Sequence, residues 1–508
     1  MEITLQKESV SREEISAGRQ GEVMTESDVI VPDTKPDMGK ILKTVGRARV
    51  TDCTKQGDRL LVAGIADYTV LYVPEKEEDG LLESLEIELP FKDVFTGFGE
   101  EGADVDAEAE ITSASATLLN SRKLAVKGTV SLQLTVGRKR ETVLTVGLSA
   151  DKVPAIRTET VPLTTLAARG RFTSSCGQRM EVPEELPPIN TILSTDASVY
   201  EEDVKLITGK LILKGTVRLE TLFRAPDGMP HLMEHAIPYT EILDIPAAEE
   251  GMHVSTDYVI TEIFCEKDDD DERERSFGAE VAMEIRAELR QETAVEYLTD
   301  FYVPGENIRY KSEPVTLETA VYMPKERLSL RETVSLTEDM PPIARVIKLS
   351  AVPHITGVTL EGGEAHIEGM AHTDLLYLTE GGTPYLFSDR FPFALSIPTK
   401  APENAAISCM ARLENASYTL PDTESADIRL ILEIGLRLTE SRTVQSITEI
   451  EETEKNTDRP SLVISFANGK DSLWEIGKRY STSAEKIGEV NGLDAEAVPA
   501  AGTRLLIP

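Results

Sequence analysis

One pattern returns three times along these 508 residues, and any fold must accommodate it. Val62, Gly64, Ala66, Tyr68, Val70 and Tyr72 alternate with more polar neighbours. Leu213, Gly215, Val217, Leu219, Thr221 and Phe223 do the same, and so do Ile367, Gly369, Ala371, Thr373, Leu375 and Tyr377. In each copy a glycine precedes an aromatic residue by eight positions. Alternation of this length predicts a strand with one buried face. A glycine inside it marks a bulge or a close approach of backbone. Upstream of each strand a proline leads a short apolar cluster. Pro36, Pro187 and Pro341 are spaced by 151 and then 154 residues. Proline fixes its own φ and drives the preceding residue toward extended backbone, so each cluster begins as an extended lead-in.

Turn dipeptides follow the strands. Glu78-Asp79-Gly80, Pro226-Asp227-Gly228 and Glu380-Gly381-Gly382 predict hairpins, with return strands ending at Pro90-Phe91, Pro238-Tyr239 and Pro392-Phe393. A later alternation closes each copy, through Val130/Leu132/Leu134/Val136, Val281/Met283/Ile285, and Ile428/Leu430/Leu432/Ile434/Leu436/Leu438. The predicted architecture is therefore mainly β. Three antiparallel, sandwich-like repeats of about 150 residues occupy 1–165, 166–320 and 321–447. An acidic stretch, 448–459, with Glu449, Glu451, Glu452 and Glu454, reads as a solvated tether that leaves the C-terminal 460–508 mobile.

That C-terminal segment has a different grammar, βααβ. Leu462, Val463, Ile464 and Phe466 lead into Asn468-Gly469. Ser472 and Glu475 have capping-box spacing, and Leu473, Ile476 and Tyr480 form one apolar stripe. Thr482 and Glu485 repeat the spacing for a second helix with Ile487 and Val490, and Asn491-Gly492 stops it. Gly502 to Pro508 supplies a closing strand. The run from Asp471 to Tyr480, then Ile487, Asn491-Gly492-Leu493 and the terminal Gly-x-x-Leu-x-Ile-Pro, resembles a LysM domain. The resemblance implies binding of N-acetylglucosamine polymers, as in peptidoglycan, through the loops before the first helix and after the second. Lys470 separates the usual Gly-Asp pair, and neither 467–471 nor 493–501 holds an aromatic residue. Candidate partner- or glycan-binding residues are Asn468, Gly469, Lys470, Asp471, Ser472, Trp474, Lys478, Arg479, Asn491, Gly492 and Leu493. Trp474, the sole tryptophan, points off the apolar stripe, half packed and half wet, where it can anchor a partner. Lys470, Lys478 and Arg479 give the module a basic edge that can steer docking.

A formal charge of −36 repels nucleic-acid phosphates and anionic lipid alike. Cys53, Cys176, Cys265 and Cys409 lie far apart, which fits a reducing compartment and no disulfide or zinc framework. The N-terminal residues read as no secretion signal, and no apolar run of spanning length occurs. These features predict a cytoplasmic chain. The repeat, with its opening Val31-Pro32-Asp33-Thr34-Lys35-Pro36-Asp37, resembles the SPOCS domain of spore-forming Firmicutes. Three such copies followed by LysM resemble the SipL-like spore-coat morphogenetic proteins. The resemblance implies a mother-cell protein at the forespore surface whose LysM domain engages the coat ATPase SpoIVA, not a wall polymer.

No catalytic constellation is visible: no Gly-x-Ser-x-Gly, phosphate loop or dinucleotide fingerprint. Asp268 to Glu272 lacks the alternation and central glycine of a calcium loop and reads as a hairpin tip. The pairs His231/His235 and His366/His372 read as surface or edge residues. No enzyme, cofactor or metal is expected.

Overall fold

The computed structural model describes residues 3–76, 80–97, 103–268, 271, 273–455 and 462–508. The first repeat is β1 (Ile3–Ile30), β2 (Met38–Gln56), β3 (Arg59–Pro74), β4 (Glu83–Thr96), β5 (Ala103–Asn120) and β6 (Lys123–Ala150). They form two antiparallel sheets, β1-β6-β5 and β2-β3-β4. The alternation of β3 does what the sequence demands. Val62, Ala66, Tyr68 and Val70 turn inward against Leu124, Val126, Val130, Leu132 and Leu134 of β6, closing a two-layer core.

The second repeat, β7 (Ala155–Glu181), β8 (Thr191–Ile207), β9 (Lys210–Arg224), β10 (Pro230–Asp244), β11 (His253–Lys267) and β12 (Ser276–Tyr302), copies this order as β7-β12-β11 and β8-β9-β10. In the third, the first long strand is split into β13 (Glu306–Tyr322) and β14 (Lys325–Ser335) around Pro324. Then come β15 (Ile343–Glu361), β16 (Glu364–Thr379), β17 (Pro384–Pro398), β18 (Ala406–Thr419) and β19 (Ser425–Lys455). Among the described residues no helix is long and apolar enough to cross a membrane.

The long strands set the borders of the repeats at 3–150, 155–302 and 306–455. The borders expected at 165/166 and 320/321 thus fall inside β7 and β13. The expected tether also changes character: 448–455 complete β19 and pair with β13, from Glu306↔Lys455 to Ser312↔Ile447. Residues 456–459 lie outside the described ones. β7, β13 and the C-terminal part of β19 carry long polar stretches, so their short apolar alternations, such as Val161/Leu163 and Val315/Leu317, do not announce them.

Both recurring markers have a physical cause. Gly64, Gly215 and Gly369 sit opposite Phe91, Tyr239 and Phe393 in register. A Cβ on Gly64 would lie 2.2 Å from the Phe91 ring and 2.3 Å from the Arg49 carbonyl oxygen. On its other side each glycine faces a bulge, at Val50/Asp52, Glu201/Asp203 and Ile355/Gly357. The prolines before those aromatics do not end their strands. β4, β10 and β17 run on past them, and proline is tolerated there because all three are edge strands. The distal aromatics tie one marker to the other, since the Tyr72 hydroxyl donates to Pro36 O (3.1 Å) and that of Tyr377 to Pro341 O (2.8 Å). Phe223 has no hydroxyl to do so. Arg122 holds the first lead-in through Val31 O, Lys35 O, Asp33 and Asp37, and Arg275 takes Pro183 O and Leu186 O in the second.

Where the repeats meet, equivalent residues meet. Leu71, Leu222 and Leu376 share one apolar cluster with Leu42, Leu193 and Ile347. Each triplet is spaced by 151 and 154 residues, the steps of the prolines. A second shared cluster joins the long strands through Leu144, Val295 and Val444. Buried ions cross the same seams. Glu83, almost fully enclosed, accepts from Lys35 (2.8 Å) and from Arg224 of the second repeat (2.8 Å), and Lys348 reaches Asp196 (2.5 Å). The three repeats therefore pack around one centre.

The acidic connection between β11 and β12 is a hairpin tip in which Asp271 accepts from the backbone of Arg273, Arg275 and Ser276. Asp269, Asp270 and Glu272 lie outside the described residues, as do Glu78 and Asp79 of the first predicted hairpin turn. The chain ends in β20 (Val463–Phe466), α1 (Leu473–Tyr480), α2 (Ala484–Asn491) and β21 (Arg504–Ile507), with Leu473, Ile476, Ile487, Leu505 and Ile507 as its core.

Candidate functional site: the C-terminal module and its seat

The module is folded by local signals. Ser472 and Glu475 make the capping box, with Ser472 N donating to Glu475 Oε2 (2.5 Å) and Glu475 N to Ser472 Oγ (3.4 Å). These bonds and the Ser472 hydroxyl hold the Glu475 carboxyl below its ordinary pKa. The second cap is Ser483, not Thr482: Ser483 Oγ accepts from Lys486 N (3.2 Å), while Thr482 is buried. Gly492, at φ +66°, ends α2 in the left-handed conformation.

The loop residues proposed for binding build the loop itself. Asn468 Oδ1 accepts from the backbone of Lys470 (2.8 Å) and Asp471 (2.9 Å), and Asp471 takes the Arg479 guanidinium. A side-chain hydrogen bond with Asn468 and the neighbouring Arg479 guanidinium keep the Asp471 carboxyl below the usual range. Gly469, at φ +78°, lies against Ala501, so the two loops touch through small residues. Leu493 N donates to Gly488 O (2.9 Å). Asn491 ties the second helix to the closing strand. Its amide donates to Ile487 O and Leu506 O (both 2.7 Å) and accepts from Leu506 N (2.8 Å). Asn491→Ala is expected to cost the module about 2 kcal/mol, since three half-buried backbone bonds go at once, read as a lowered thermal midpoint of the module's helical signal.

Trp474 and Lys478 do not face solvent together with Arg479. The module is seated on the turn between β12 and β13 instead of swinging on a tether. Asp300 accepts from Trp474 Nε1 (3.0 Å), Lys478 Nζ (2.5 Å) and the Tyr310 hydroxyl (2.7 Å). Burial works to raise the Asp300 pKa, but hydrogen bonds from Lys478, Trp474 and Tyr310 leave it below the ordinary value. Tyr302 meets the Trp474 ring edge-on at 4.9 Å, and the Arg157 guanidinium lies 4.9 Å from that ring's centre. The Tyr302 hydroxyl accepts from Ala484 N (3.1 Å), and Gly305 N donates to Ser481 O (2.8 Å). Gly477 leaves the room required: a Cβ there would come within 2.7 Å of the Tyr302 hydroxyl. So of the expected basic edge only Lys470 and Arg479 lie at the surface, and Arg479 is ion-paired. Nothing local in the sequence points from Trp474 to Asp300, 174 residues earlier, and Arg157, Tyr302 and Tyr310 were not candidates.

The opposite side of the module is open. β20 turns Val463 and Ser465 inward and Ile464 and Phe466 outward; Phe466 is 68% exposed and Ile464 56%. Arg504 of β21 is the register partner of Phe466 and is also exposed.

The SipL, SPOCS domain family matches residues 37–119 and 188–268, and the LysM domain family matches 470–508. None of the curated proteins and none of the solved structures compared with the chain matches it. The SPOCS matches fall on β2–β5 of the first repeat and their counterparts in the second, and the third repeat has the same sheet order. Both families are non-catalytic, and together they fit a sporulation-related adaptor of the peptidoglycan-binding type. A SPOCS-domain protein that carries a C-terminal LysM domain is what the matched segments and the fold make of this chain.

Proposed function

We propose that the chain is a non-enzymatic adaptor in assembly of the spore coat, with its LysM end docking a coat morphogenetic protein such as SpoIVA at the forespore surface, on the mother-cell side. The observation that carries this reading is the outward apolar face of β20. Ile464 and Phe466, flanked by Arg504, form an exposed apolar patch of the kind that protein partners cover. The loops that grip glycans elsewhere here meet through Gly469 and Ala501 and offer no aromatic ring for stacking. Deletion of 460–508, or Phe466→Glu, is expected to abolish capture of SpoIVA by the purified chain. Undiminished capture by both variants moves docking into the repeats.

The LysM match itself favours a second reading, a binder of peptidoglycan or of spore cortex. Co-sedimentation with purified wall polymer separates the two. Pelleting with polymer and no capture of SpoIVA makes the glycan the ligand.

A further inference from the structure

We propose that His354 and His372 form a binding site for one divalent transition-metal ion of the zinc class, on the outer face of the third repeat. β15 and β16 are antiparallel neighbours, with Val352↔His372 and His354↔Met370 as register partners. The two histidines are thus diagonal neighbours on one exposed face, within side-chain reach of each other. Their ring centroids lie 4.8 Å apart with the planes tilted by 57°. Two imidazoles that share one ion, each nitrogen ~2.0–2.1 Å from it, have centroids roughly 5 Å apart. The pair already has that separation.

Ligand chemistry agrees with the geometry. Zinc takes the neutral imidazole. Met370, opposite His354, adds a thioether to the same face, a ligand type that softer ions also accept. Arg390, the register partner of His372 on β17, opposes a cation. Asp374 offsets part of that, although it is engaged by Lys43 (2.6 Å). The remaining histidines are committed elsewhere. His231 stacks on Phe223, His235 packs on Phe277, His253 pairs with Glu292 and His366 bonds to Ser396. His231 and His235 both lie half-buried on the edge strand β10, within the expectation of surface or edge residues. Burial pushes the His235 pKa down to about 4. Two protein nitrogens leave positions on the ion for water or for a side chain of another molecule.

The test is a calorimetric titration of the full chain with zinc chloride at pH 7 and high salt, so that diffuse binding to an acidic surface is screened. One ion per chain is expected. His354→Gln and His372→Gln, each checked for an unchanged circular dichroism spectrum, are expected to weaken it on the order of tenfold or more, because a lost ligand costs at least what a lost outer-shell partner does. His366→Gln is expected to bind as the parent does. Zinc should also raise the melting temperature of the parent and not of the two variants. Absence of saturable binding, or binding unchanged in both His354→Gln and His372→Gln, overturns the proposal.

Discussion

Gly215→Ala will unfold the second repeat at a clearly lower urea concentration than the parent, by about 2–3 kcal/mol of stability. Propensity alone predicts the reverse, since a glycine within a strand costs roughly 0.5–1 kcal/mol against alanine. Geometry decides against propensity. The new methyl would sit 2.1 Å from the Tyr200 carbonyl oxygen and 2.7 Å from the Tyr239 hydroxyl. The first of these is backbone held in the β8–β9 ladder and cannot rotate away, so the strands must part, at the usual cost of overpacking. Gly278, in β12 of the same repeat, is the internal control: a Cβ there meets nothing within 4 Å. Gly278→Ala is expected to leave the midpoint unchanged or slightly raised. Equal midpoints for the two variants would show that the glycine is not held by the bulge opposite it.

Asp300→Ala will free the C-terminal module from the repeats. Three donors converge on this carboxylate, two of them from the module. Hydrogen bonds to charged groups contribute about 1.5–3 kcal/mol each, and partial exposure of Lys478 screens its share. We expect about 3 kcal/mol in all, roughly a hundredfold in the ratio of docked to free module. Trp474 is the reporter, being the sole tryptophan and leaving an aromatic contact as it undocks. Its emission should shift to the red and become open to acrylamide. Asp300→Asn keeps one acceptor oxygen, where Trp474 and Tyr310 use Oδ2 and Oδ1 separately, and should fall between parent and alanine. The sign with pH follows from the lowered Asp300 pKa. Its contribution is full above the ordinary aspartate value of about 3.9 and fades only as the pH falls through the lower, docked value. Neutral and mildly acidic buffers should leave Trp474 emission unchanged, with release confined to strong acid. Emission that is the same in parent and Asp300→Ala would refute the seat.

The repeat, its hairpins and the helical module were legible because each depends on short-range signals. Period-2 burial was written in Val62 to Tyr72, the capping box in Ser472 and Glu475, and the strand glycines announced a close approach. The long strands were not legible. β7 and β13 carry only short apolar alternations, Val161/Leu163 and Val315/Leu317, between long polar stretches, so their pairing with β12 and β19 leaves little pattern within either segment. The seat of Trp474 was hidden for a related reason. Its partners, Arg157, Asp300 and Tyr302, are brought together by the pairing of β7 with β12, between segments far apart in sequence, and an aspartate in a chain of 89 acidic residues attracts no notice. The described part of the expected tether was missed on the same ground, because Glu449 and Glu452 look solvated in sequence and are strand residues in register with Lys311 and Arg309.

Near-equivalence of three repeats invites three equivalent attachments, yet among the described residues the module is received at the end of β12, by Asp300 and Tyr302, and by Arg157 at the start of β7. The turn after β6, Asp151 to Pro154, stands at the matching place with no tyrosine and no arginine. A body with pseudo-threefold packing thus carries a single head, at a fixed address. Layers assembled from such units acquire a direction, because every molecule bound by its head must present the same side of its body outward.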